Sequence, residues 1–181
     1  MKERKYKNDW RSEFRIDPVT GRETQEMIYV GKWYAAENAA ACRRALHWAC
    51  AANLLFFVLL LVYFLLDFPG ATTLYVFVPA AIALFPWLYW LMGCSAALHA
   101  PDRLTRIQRE TGIGRVLRSA VGCAVFSGLA VLGDCVFLFL GGAARGEFPG
   151  FPLLLAAAAV ALFAALRTRG VFLAMIEEDN A

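Results

Sequence analysis

Four stretches of the chain are almost free of polar side chains, and the polar residues between them fall into blocks of unequal charge. Ala45–Leu66 is apolar apart from His47 and Asn53, and Thr72–Leu98 holds no charged residue. Ser119–Leu140 holds one charge, Asp134; Phe148–Leu166 is Ala-rich and interrupted near its start by Pro149, Gly150 and Pro152. A helix rises about 1.5 Å per residue, so a hydrocarbon layer of roughly 30 Å needs about 20 apolar residues. The pattern therefore predicts an all-α integral membrane protein with four transmembrane helices. The connections Asp67–Ala71 and Gly141–Gly150 are short, which makes spans one and two, and three and four, antiparallel hairpins of a four-helix bundle.

Ahead of the first span the periodicity changes. Phe14 and Ile16 alternate with Arg15 and Asp17, and Met27, Ile28, Tyr29 and Val30 follow beyond Asp17-Pro18-Val19-Thr20-Gly21. Asp opens a turn, Pro presets φ at the next position, and Gly accepts the positive φ that closes it. This predicts a small cytoplasmic β-hairpin within residues 1–34, ahead of a membrane domain spanning 35–181. A lone hairpin is marginal in water, so it is expected to rest on the membrane surface, on helix ends or on another chain. Phe14, Ile16 and Tyr29 are its candidate partner-binding residues. From about Trp33 the pattern predicts helix running straight into the first span. Residues 99–118 predict a short amphipathic helix, with Pro101 and Asp102 in its first turn and Gly112 at its end. Thr168–Ile176 is expected to prolong the last helix or lie along the interface, with Glu177 in solvent.

Composition agrees with this architecture: 60% of the residues are hydrophobic, against about 45–50% in soluble domains. Charge orients it. Ten Lys and Arg lie in residues 1–44, five in 99–118 and two in 167–181, leaving only Arg145 on the other connections. Basic flanks stay inside, so both termini are expected in the cytoplasm of a plasma-membrane protein, with the first span an uncleaved signal anchor. The net charge of +3 then reflects topology and speaks for anionic lipid headgroups rather than nucleic acid. Cys42, Cys50, Cys94, Cys123 and Cys135 do not form a disulfide framework, since most sit on the reducing side.

Candidate chemistry is sparse. Asp134 lies about 16 residues, or roughly 24 Å, beyond Arg118, in the outer half of its span. An acid at that depth is costly and reads as a cation or proton site, or as a structural partner of Arg145 or a carboxyl reaching the outer interface. His47, Cys50, Cys94, His99 and Cys123 all fall near the inner boundary, where a soft metal or haem could use them, although no CxxC, HxxxH or CxxCH spacing is present. Trp87, Tyr89 and Trp90 beside Pro86 are candidate walls of a ligand pocket, or plain packing. Gly112-Ile113-Gly114-Arg115 follows no strand and does not support phosphate binding. No Ser/His/Asp set, paired carboxylates or HExxH occurs, so neither an enzyme nor a cofactor is expected. Small residues let helices meet closely: Ala124 and Gly128 are assigned to the intrachain bundle, and Ala157, Ala161 and Ala165 to a second protomer or partner subunit. The expected function is a non-enzymatic accessory, scaffold or assembly subunit; the alternative is a small oligomeric transporter or channel using Asp134.

Overall fold

The computed structural model describes residues 6–16, 23–101, 103–141 and 148–178. Strands β1 (Trp10–Ile16) and β2 (Glu23–Tyr29) pair antiparallel, Trp10 opposite Tyr29 and Phe14 opposite Gln25. The N-terminal hairpin is therefore present; its turn, Asp17–Gly21, lies outside the described residues.

Four helical segments are long and apolar enough to cross a membrane. They are α1 (Ala39–Leu65); α2 (Leu74–Ile82) with α3 (Leu84–Leu98); α4 (Arg106–Thr111) continuing into α5 (Ile113–Phe139); and α6 (Gly150–Leu173). The second span is broken at Ala83, three residues before Pro86, whose ring excludes the carbonyl of residue 82 and which has no N–H to offer it. The buried residues follow alternating steps of four and three. On α5 they include Val116, Ala120, Cys123, Ser127, Ala130, Asp134 and Phe137, and on α6 Leu154, Ala157, Ala161, Ala164 and Thr168. This spacing keeps one seam of each helix facing inward. The outward faces carry Leu54, Leu61, Phe77, Leu132 and Leu162, all exposed and apolar, as lipid contact requires.

Several expectations for the connections are corrected. Trp33–Ala36 is strand β3, not helix, and α1 begins only after Asn38, whose side chain accepts a hydrogen bond from Ala41 N at 2.9 Å. Residues 103–105 form strand β4, so Pro101 precedes a strand rather than opening a helix, and Asp102 lies outside the described residues. Helix α4 instead starts at Arg106, capped by Thr105 and Gln108, which satisfy each other's backbone N–H groups. Of Thr168–Ile176, the part through Leu173 does prolong the last helix, as one of the two expectations has it; only from Met175 does the chain turn into strand β5 (Met175–Glu178), where Glu177 meets Lys32 in an ion pair. The physical reason is common to all three. Each short segment finds backbone partners in another, making one antiparallel sheet of order β4–β3–β5, with Tyr34 opposite both Leu104 and Glu177. These partners are far apart in sequence, so local periodicity does not reveal them.

The sheet covers one end of the bundle, the end that carries the basic connections. Beneath it Leu46, Ala97, Leu104 and Ile113 form a small buried cluster against Tyr34, Phe172 and Met175. Arg109 ties the layers together: its guanidinium lies 4.4 Å from the Tyr34 ring centre and 3.9 Å from that of Phe172, and it donates to Phe172 O at 3.0 Å. The hairpin hangs from this cap by Tyr29. The Tyr29 ring meets Trp10 and Trp33 edge-on, and its hydroxyl donates to Lys32 O at 2.9 Å while accepting from Arg106 N at 3.0 Å. Tyr6 adds a bond to Glu110 at 2.6 Å.

Candidate functional site

Asp134 sits on the inner seam of α5, five residues before the helix ends, and is fully buried. It therefore does not reach the interface as an exposed carboxyl. A carboxyl at such depth either keeps its proton or is compensated by its surroundings. Arg145, its suggested partner, lies outside the described residues. Immediately before it, Gly133 marks a close approach of spans two and three: a Cβ at Gly133 would stand 2.5 Å from the carbonyl oxygen of Tyr75. That carbonyl points to Pro79, four residues on, which has no N–H to bond it.

The inner constellation of His and Cys divides into three places. Cys123 is buried and its thiol leans on Ala83 O at 3.7 Å, at the break in span two. Cys50 and Cys94 bring their thiols together across the interface between α1 and α3. His47 and His99 are exposed, each with Nδ1 against a carbonyl of its own helix, Arg43 O at 2.7 Å and Ser95 O at 2.8 Å. Among the described residues no three metal-binding side chains gather, so the five do not make one centre.

The three rings of span two also separate. Trp90 is buried in the bundle near Phe56, and Trp87 stacks on Phe57 at 4.3 Å while its indole donates to Asn53 O at 3.3 Å. Tyr89 faces outward, exposed. Consecutive positions on a helix diverge by about 100°, and the rings line no common pocket among those described.

The two small-residue lines are placed differently from their assignments. Ala157, Ala161 and Ala165 are buried inside the chain's own bundle, which corrects their assignment to a second protomer. Ala124 is half-buried against the core, and a Cβ placed at Gly128 would meet nothing. Of the hairpin residues, Phe14 is open at 73% exposure, Tyr29 is engaged in the clasp, and the Ile16 side chain lies outside the described residues. Compared with family models, curated proteins and solved structures, the chain matches none.

Four cavities lined by described residues lie at the basic end, around residues 36–51, 97–113 and 170–175. Asp134 lines none of these four. Sequence inspection missed two features there. One is Arg109, hidden among five basic residues of one connection; its place between two rings depends on Tyr34 and Phe172, neither of them near in sequence. The other is the meeting of His47 and His99 in one cleft with Arg43, for which their matched depth was the available signal.

Proposed function

We propose that this is a small multispan membrane protein of accessory or assembly type, non-enzymatic, with both termini in the cytoplasm and the hairpin presented to a partner. The hairpin carries the reading. Its base is clasped by Trp33 and Arg106, while Phe14 and Met27 on one face stand 73% and 58% exposed. Among the described residues β1 and β2 pair only with each other, which leaves edges suited to strand addition, with apolar side chains to fix the register. A hairpin anchored at its root, with Phe14 and Met27 left bare, is poorly explained by self-stability alone.

The test is quantitative co-purification in mild detergent. Phe14→Glu with Met27→Glu should lose a co-purifying membrane subunit that the wild type retains, while the spans insert normally. An unchanged set of co-purifying proteins would sink the hairpin reading. A second reading, transport through an oligomer, is favoured by one observation, the full burial of Asp134 in the bundle interior. Under that reading Asp134→Asn abolishes cation or proton flux into proteoliposomes; under the accessory reading it leaves the cellular phenotype unchanged.

A further inference from the structure

Two open hollows at the basic end meet along α1. One, of about 510 Å³, lies between α1 and the end of α3 and is lined by Arg43, Leu46, His47, Leu98 and His99. The other, of about 500 Å³, adds Arg44, Trp48 and Ala51 to Arg43 and His47. Among the described residues, no acidic side chain lines either hollow; the ionisable groups that do are Arg43, Arg44, His47 and His99, over a floor of apolar side chains.

The imidazoles are oriented for an external ligand. A carbonyl oxygen can only accept, so Nδ1 of His47 and of His99 must carry the hydrogen, donated to Arg43 O and Ser95 O. Nε2 of each ring is thereby turned from its own helix; protonated it donates, neutral it accepts. The bond to Ser95 O adds a second donor to a carbonyl near the end of α3 that already accepts from the His99 backbone N–H at 3.3 Å.

Below the cations the surface changes character. Along α1 the exposed positions run from Arg44 and Trp48 to Ala51, Leu54, Leu55 and Val58. Trp48 to Val58 spans ten residues, about 15 Å, which equals one leaflet of hydrocarbon, half of roughly 30 Å. Positive charge with polar acceptors at one end, an indole at the headgroup level and a leaflet-length apolar track beneath form the complement of one molecule. We infer that this cleft between α1 and α3 is a binding site for an anionic glycerophospholipid with a hydroxylated headgroup, its phosphate held by Arg43 and Arg44, its headgroup hydroxyls donating to the Nε2 acceptors of the two imidazoles, and its acyl chain laid along α1. This goes beyond the hairpin's role and stands independently of it.

The test uses the full-length protein in mixed micelles, with native mass spectrometry counting phosphatidylglycerol retained against phosphatidylcholine. Wild type should retain phosphatidylglycerol selectively. Arg44→Gln removes a cation near the membrane surface and His99→Gln removes an Nε2 acceptor, so the double variant should lose retention on the order of tenfold. Ala51→Trp, which fills the apolar floor and leaves every charge, should weaken retention as well. The control, Arg167→Gln with Arg169→Gln, removes two cations from α6 at the same end and should change retention less than twofold. Equal loss in that control would mean a diffuse basic collar and would overturn the site. Displacement by soluble glycerol phosphate as effective as by phosphatidylglycerol would also overturn it, since the ligand would then be a free phosphate. Circular dichroism and size analysis of each variant separate loss of binding from loss of fold.

Discussion

At Gly133 a single hydrogen atom decides how closely two spans can pack. The Tyr75 carbonyl, deprived of an intrahelical donor by Pro79, occupies the space a Cβ would need, at 2.5 Å. A backbone atom cannot swing away as a side-chain tip can, so Gly133→Ala must push the helices apart. It is expected to cost about 1–3 kcal/mol, read as a lowered unfolding midpoint in detergent, whereas Gly128→Ala, where nothing stands nearby, should be neutral. Arg109 illustrates a different dependence, on shape. Its flat guanidinium lies against two rings and also reaches Phe172 O; an ammonium keeps the charge but not the planar fork. Arg109→Lys should therefore loosen the cap nearly as much as Arg109→Ala, by about 1–2 kcal/mol, seen as faster amide exchange in residues 33–36. Tyr29 brings pH into play: partial burial raises its phenol above the ordinary value, against the lowering effect of the Arg106 N–H. A raised acid stabilises the docked state below its unfolded pKa of about 10 and loses that contribution as pH climbs through the folded value. Hairpin docking, followed by exchange of the Arg106 amide, should hold at neutral pH and weaken in strong alkali, and Tyr29→Phe should remove that alkaline step.

Among the elements, what was legible in the sequence depended on whether their causes were local. The spans follow from apolar length, and the β1–β2 hairpin follows from alternation of Phe14 and Ile16 with charged neighbours; both are present. The sheet β4–β3–β5 follows from neither. Trp33–Ala36 has no intrinsic need to be extended, and it takes that form because Leu104 and Glu177, far along the chain, arrive on either side of it. The same non-local cause moved the start of α1 to Asn38. That cap is testable: Asn38→Ala removes the acceptor for Ala41 N and should cost about 1 kcal/mol, fraying the first turn in amide exchange while leaving the hydrocarbon-depth part of α1 protected. Arg106–Thr111 shows the converse, since its Thr105–Gln108 capping box was present in the sequence as a start signal but lay three residues past the more conspicuous Pro101-Asp102.

For the whole molecule, the bundle reverses the expected use of small residues. Ala161 is fully buried in the chain's own core, so Ala161→Leu should overpack it by about 1–3 kcal/mol. The expected outcome is a broadened, less stable monomer rather than a monomer released from a complex; a wild-type melting curve would refute the inward placement. Periodicity on an Ala-rich helix could not decide which face turned inward, because Ala suits lipid and protein alike. The candidate chemistry was scattered for a related reason: residues at equal depth on different spans share a level, yet only packing chooses which of them meet, as Cys50 and Cys94 do and Cys123 does not. The cap sheet carries one more implication, for the order of events during synthesis. Its central strand leaves the ribosome before any span, one neighbour follows the second span and the other follows the fourth. Translation at about 5–20 residues per second leaves β3 waiting roughly 7–28 s for residues 175–178. If the four long helices cross a membrane, both neighbours reach β3 only when an even number of crossings lies between, so a single helix that failed to insert would strand its partner across the bilayer. Closure of this small sheet would then be a parity check on threading, made once residues 175–178 arrive.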